Sequence, residues 1–241
     1  MIQFTDKLKK DILKANFIIL GETHGIKENL DVVKYFINFF TDQKIPVIFA
    51  IEWPHNLNSE INEYIRKDKN AIDWKSWIFS KSPDGRISKE HLKFLEWLKK
   101  KQIQIRCFDN SGKNWNDRDK KMAMDIVDLF KKNKDHKVLA FMGSLHAKKH
   151  PFEFNDRKCK PLTSYLPKDK TVSFKISYSS GSYFNMSFKK IEPTNKIKSL
   201  SKKSEIIKSK DKDCDYDYEI ILNKATPITI LDKKNMIRID K

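Results

Sequence analysis

Four short apolar runs mark the N-terminal half of the chain: FIIL (17–20), VIFAI (47–51), IQIRCF (103–108) and KVLAFM (137–142). Each lies beside a stretch with helical spacing. After FIIL, the residues Ile26, Leu30, Val33, Ile37 and Phe40 recur in steps of four and three, one face of a helix. Leu92, Leu95 and Leu98 precede the third run. A helix predicted over about 116–132, with Met122, Ile126, Leu129 and Phe130 inward, precedes the fourth. Three of the runs are almost continuously apolar, whereas IQIRCF alternates more, with Arg106 as the odd member. Continuous runs suit strands covered on both faces. Strands alternating with helices predict right-handed βαβ units, hence an α/β fold with a mostly parallel central sheet flanked by helices.

The remaining segments are less regular. Residues 54–88 predict short helices carrying Ile61, Tyr64, Ile65, Trp74 and Trp77, closed by a turn at SPDGR, 82–86. With the next helix this gives a helical, cap-like insertion over about 54–100. Beyond residue 160 the pattern is β-rich. TVSFKIS and SYFNMSF read as a hairpin around Ser180-Gly181, and DYEIIL (217–222) as a further strand extending the sheet. The stretch 189–213 is polar and Lys-rich and reads as a flexible surface excursion, with an anion-binding arm as the sharper alternative. All 241 residues fit one domain.

Composition narrows the function classes. Lys+Arg 49 against Asp+Glu 32 gives a formal charge of +17, but the lysines are scattered through every segment. Solvated faces explain that distribution, and no specific nucleic-acid partner is expected. Cys107, Cys159 and Cys214 form no CxxC, which argues for a reducing compartment rather than a disulfide framework. The N-terminal MIQFTDKLKKDILK is amphipathic and lacks the apolar stretch of a signal peptide. No run is long enough for a membrane span. The expectation is a cytoplasmic protein of open oligomeric state.

The candidate chemistry sits where the strands end. FIIL runs into Gly21-Glu22-Thr23-His24, VIFAI into Glu52, IQIRCF into Asp109, and KVLAFM into Gly143-Ser144-Leu145-His146. In a parallel sheet these ends lie along one edge, where such sheets bind ligands. Glu22, His24, Glu52, Asp109 and His146 are therefore expected to converge. Gly21 and Gly143 suit close approach of a ligand to the backbone. Arg118 opens the helix after Asp109, where a cation opposes the helix dipole. It is expected to pair with a site carboxylate or to receive an anionic substrate group, while Asp117 or Asp119 complements the helix start. His55 either lines the same edge or begins a helix, and His91 and His136 read as surface helix residues. His146 and His150 have the i, i+4 spacing of a metal pair, but Pro151 disfavours helical backbone at His150.

With GETH (21–24), Glu52, RDKKMA (118–123), GSLHA (143–147) and the closing DYDYEIILNKATP (215–227), the chain resembles the erythromycin esterase, ChaN-like haem-uptake and Tiki superfamily. The resemblance spans about residues 15–225 and implies an α/β core with paired Gly-x-x-His motifs in one cleft. GETHG has one residue fewer between Glu and His than the GE-x-x-HG of the esterases, which favours the Tiki and haem-uptake side. The chain is also shorter than an erythromycin esterase and lacks most of its helical lid.

Two functions stay open. One is a hydrolase acting on an ester or amide bond of a small-molecule or peptide substrate. His24 or His146 is then the general base, Glu22, Glu52 or Asp109 orients it, and Arg118 stabilises developing negative charge. In a metal-assisted variant Glu22, His24, Glu52 and His146 hold zinc, manganese or iron. The alternative is a haem- or iron-binding protein with a histidine or tyrosine axial ligand.

Overall fold

The computed structural model describes residues 2–66, 84–194, 197, 204–209 and 214–231. The elements in chain order are α1 (Asp6–Lys14), β1 (Phe17–Glu22), α2 (Glu28–Asp42), β2 (Val47–Pro54), α3 (Asn58–Arg66), α4 (Lys89–Lys100), β3 (Gln104–Asp109), α5 (Trp115–Lys132) and β4 (Lys137–Gly143). There follow β5 (Phe152–Phe154), β6 (Arg157–Cys159), β7 (Thr171–Tyr178), β8 (Ser182–Asn185), β9 (Ser187–Lys190), β10 (Glu205–Lys208) and β11 (Tyr218–Leu222).

Seven strands form one sheet in the order β10-β11-β7-β1-β4-β2-β3. Every neighbouring pair is parallel except β10 with β11. The α/β class, the flanking helices and the C-terminal extension of the sheet all agree with the sequence pattern.

Both faces of the sheet are covered, which is why the strands are continuously apolar. Ile18, Leu20, Phe49, Ile51 and Leu139 face a core built with Leu8, Phe36, Phe40, Phe94 and Leu98 from helices α1, α2 and α4. Their sequence neighbours Phe17, Ile19, Ile48, Ala50, Val138 and Ala140 face Met122, Ala123 and Ile126 of α5. Burying each large side chain stabilises the fold by about 1.5–3 kcal/mol. Phe36 and Phe174 meet edge-on at 5.0 Å, and Phe49 and Phe94 at 5.4 Å, the arrangement that ring quadrupoles favour.

Side chains fix the helix starts. Thr5 accepts from the Leu8 amide at the head of α1, Ser88 from His91 at α4, and Asn114 from Asp117 at α5.

Several expectations change. TVSFKIS and SYFNMSF do not pair: β7 lies between β1 and β11 in the main sheet, and β8 folds back on β9. The hairpin turns at Met186, at φ 60°. Phe174 and Ile176, both buried, gain more from the sheet interior than from a two-stranded ribbon, which is marginal alone. Within 189–213, Lys189 and Lys190 belong to β9, and residues 205–208 form the edge strand β10. His91 is buried in α4 against Ser88, not at the surface, and burial lowers its pKa to about 4. His136 is half-buried in the turn after α5, and Phe130 is half-buried beside the core. Ile61 is buried, Tyr64 and Ile65 pack at the core's margin, and Trp74 and Trp77 lie outside the described residues. Among the described residues no helix is long and apolar enough to cross a membrane.

Candidate active site

The C-terminal ends of β1, β2, β3 and β4 deliver their ionisable side chains to one sheet edge. Glu22 is the last residue of β1 and is buried. Its Oε1 lies 2.8 Å from His24 Nδ1, and its Oε2 accepts from Asn29 Nδ2 at 2.6 Å. A carboxylate facing Nδ1 requires the proton there, so His24 presents its Nε2 lone pair outward. Among the described residues Nε2 makes no hydrogen bond, and the side chain keeps 19% of its exposure.

Glu52 lies where the β2–β3 register shifts between Ile51 and Pro54. That irregularity aims a buried carboxylate along the strand end. Oε2 accepts the Gly143 amide at 2.7 Å, and Oε1 accepts Arg118 Nη2 at 2.8 Å and Arg86 Nη1 at 3.4 Å. Asp109, the last residue of β3, accepts Arg118 Nε at 2.9 Å and Arg86 Nη1 at 3.0 Å. Arg86 is fixed from behind by Asp84, 2.8 Å from its Nε.

His146 sits in the turn after β4, its amide bonded to Gly143 O. Its Nδ1 lies 2.8 and 2.9 Å from the two oxygens of Asp119, which is wholly buried and also accepts the Leu162 amide. Nε2 then accepts Arg118 Nη1 at 3.1 Å, with Glu52 Oε1 at 3.6 Å. Trp115 stacks on the ring at 4.5 Å.

Glycine brings the two strand ends together. A Cβ on Gly143 would lie 3.0 Å from His24 Nε2 and 3.5 Å from Glu52 Oε2. Nearby, three backbones cross. Phe184 N and Ile228 N both donate to Gly25 O, and Gly25 and Gly85 adopt φ of +81° and +87°. A Cβ on Gly25 would lie 1.7 Å from Phe184 O, and one on Gly85 2.4 Å from the same oxygen.

The charges set the protonation tendencies. Burial pushes the Glu22 carboxyl up, only partly offset by His24 and Asn29. Burial pulls the His24 imidazole down, but the Glu22 hydrogen bond and the charges of Glu22 and Glu52 outweigh it, so its pKa is raised. Burial opposes ionisation of Glu52, yet His146, His24, Arg86 and Arg118 together hold its carboxyl well below the usual range.

Glu22, His24, Glu52, Asp109, Arg118 and His146 are thus brought to one sheet edge, Glu22 and His24 as a pair and the other four as a bonded network. Roles shift within it. Asp109 pairs with the two guanidinium groups, and Asp119 orients His146. His55 bonds Arg106 Nη2 at 2.9 Å beside Asp125, in a separate cluster. His146 and His150 follow β4 in a turn and loop, without the helix their spacing would need.

Sequence reasoning missed Asp119, Asn29 and Arg86. The first two carried a signal. Asp119 is in helical phase with Met122, Ala123 and Ile126, and Asn29 with Val33, Phe36 and Phe40, so each is a polar residue on a buried stripe. Arg86, read as part of a turn, carried none.

The donor set does not suit the metal expected on Glu22, His24, Glu52 and His146. Glu52 is already held by Arg118, Arg86 and the Gly143 amide, and Glu22 by His24 and Asn29. Two guanidinium cations beside Glu52 repel a dication. Among the described residues no group of three or more His, Cys, Asp or Glu side chains is arranged to hold a metal ion.

No family model matches the chain, and no curated protein matches its sequence. Solved structures do. A mutant of the erythromycin esterase EreC in its open conformation aligns with a TM-score of 0.72 at 10% identity, covering 94% of this chain and 95% of that one. A succinoglycan biosynthesis protein aligns at 0.65 and 12% identity over 94% and 92% of the two chains. A Bacillus cereus protein aligns at 0.63 and 12% identity over 94% and 93%. At these identities the likeness is one of fold: the chain has the α/β fold of the erythromycin esterase.

Proposed function

We propose that the chain is a hydrolase of ester or amide bonds with His24 as general base. The observation that carries this reading is the asymmetry between the two histidines. Both are tied through Nδ1 to a buried carboxylate, but His146 Nε2 is occupied by Arg118, whereas His24 Nε2 is unengaged and partly exposed. In this reading His24 Nε2 takes a proton from water, whose oxygen attacks the substrate carbonyl carbon. Arg118, steadied by Glu52, Asp109 and His146, stabilises the oxyanion. As the C–O or C–N bond breaks, the imidazolium returns its proton to the leaving group. Glu22 holds the tautomer and stabilises the imidazolium, so no metal-bound water is required. The erythromycin esterase fold supports the class and leaves the substrate open.

The test is a panel of p-nitrophenyl esters and peptide anilides, with and without EDTA. Wild type is expected to hydrolyse at least one class equally in both conditions, and His24→Ala to lose about 10²–10⁴-fold in kcat. Full activity in His24→Ala would reject the assignment of the base. Inert wild type, with a Soret band on haem titration that disappears in His24→Ala, would replace the hydrolase with the haem-binding alternative.

A further inference from the structure

Beside the Glu22–His24 pair, on the same sheet edge, runs a groove of about 630 Å³ between the end of β7 and the β8–β9 hairpin. β7 pairs with β1 only as far as Lys175 opposite Gly21. Its last residues, 176–178, continue past that pairing and form one wall. Lys189, Lys190 and the segment 191–194 form the other. Thr23, between Glu22 and His24 in the chain, lines the groove. Tyr178 links the groove to Glu22: its hydroxyl donates to Asn29 Oδ1 at 2.5 Å, and Asn29 Nδ2 donates to Glu22.

The groove is cationic. Among the described residues lining it are Lys175, Lys189 and Lys190 and one carboxylate, Glu192, while Glu219 stands opposite Lys175 in the β7–β11 register. Some lysines elsewhere meet acidic partners, as Lys27 does with Glu90, Lys148 with Asp215 and Lys149 with Asp217. Among the described residues none of the three groove lysines makes an ion pair. Like charges gathered in a concavity repel one another, and the same field concentrates an anion there.

We infer that this groove is a substrate subsite for an anionic group, a carboxylate, sulfate or phosphate on the part of the substrate away from the cleaved bond. The inference rests on the hydrolase reading for its chemistry but not for its binding. Lys189 and Lys190, where the sequence's Lys-rich stretch begins, come from the β8–β9 hairpin, and Lys175 comes from β7.

Two measurements separate the claims. The first compares kcat/KM for p-nitrophenyl hemiglutarate and p-nitrophenyl valerate, esters of similar length with and without a terminal carboxylate. The second titrates glutarate calorimetrically. Both use wild type and Lys189→Glu/Lys190→Glu, whose positions are exposed and whose melting temperature checks the fold. A preference for the hemiglutarate on the order of ten-fold, abolished by charge reversal and reduced by salt, is expected. Glutarate should bind wild type and not the double variant. Equal rates on both esters without glutarate binding would overturn the subsite and leave the hydrolase standing. Glutarate binding lost in the double variant, with neither ester cleaved, would keep the subsite and remove the hydrolase. A preference that survives both charge reversal and Lys175→Met would place the anion elsewhere and overturn the inference.

Discussion

The Glu22–His24 pair sets how the proposed reaction answers to pH. A general base works only when neutral, and the carboxylates around His24 raise its pKa above 6.5 despite burial. The acid limb of kcat/KM is therefore expected above pH 6.5. Glu22→Gln removes the largest opposing influence to burial, so the limb should move toward lower pH while kcat falls. A pH–rate profile of both proteins checks the direction, and an unmoved limb would separate Glu22 from the base. His146 has a structural part instead, because its lone pair is spent on Arg118. Asp119, Trp115 and His146 act as a brace for one guanidinium group.

At the scale of elements, the site depends on how closely β1 and β4 finish. The register sets Glu22 opposite Gly143, and the next residues of both strands turn across the same edge. Gly143→Ala would put a methyl 3.0 Å from His24 Nε2, so the ring must yield. The expected outcome is a large loss of kcat with little loss of stability, about 1–3 kcal/mol at most for local overpacking. Paired activity and chemical-denaturation measurements check it; unchanged kcat would mean that the ring is not where it is needed. Much of this edge was legible in the sequence, because a parallel sheet sends every apolar run to the same side. The β7 to β9 region was not. Hairpin and sheet-interior strands share the same alternation over FKIS, and only the unoccupied place between β1 and β11 decides between them. Asp119 and Asn29 were visible in phase, but Asp119 was read as an ordinary helix start and Asn29 was given no role. Arg86 reaches Glu52 across 34 positions, a distance that no local pattern encodes.

For the molecule as a whole, the network links folding to acidity. Glu52 is buried, yet surrounding cations lower its carboxyl below its ordinary value of 4.5. A depressed carboxylate contributes stability that is fully present above the unfolded pKa and is lost as pH falls through the folded one. Wild type should therefore melt at progressively lower temperature as pH falls below 4.5. Glu52→Gln, less stable at neutral pH because Arg86 and Arg118 lose a counter-charge, should show a shallower decline. Parallel slopes in calorimetry would mean that other carboxylates govern acid unfolding. His24 runs the other way: its raised pKa gives stability that is present below 6.5 and fades as pH rises through the folded value.

The crossing of Gly25, Gly85 and Phe184 has a mechanical meaning for this chain. Gly25 directly follows His24, Gly85 directly precedes Arg86, and Phe184 belongs to the hairpin that carries Lys189 and Lys190. Main chain rests on main chain there, with no side chain to act as a cushion. A displacement of the ribbon is therefore transmitted to imidazole and guanidinium together, like a pin shared by two levers.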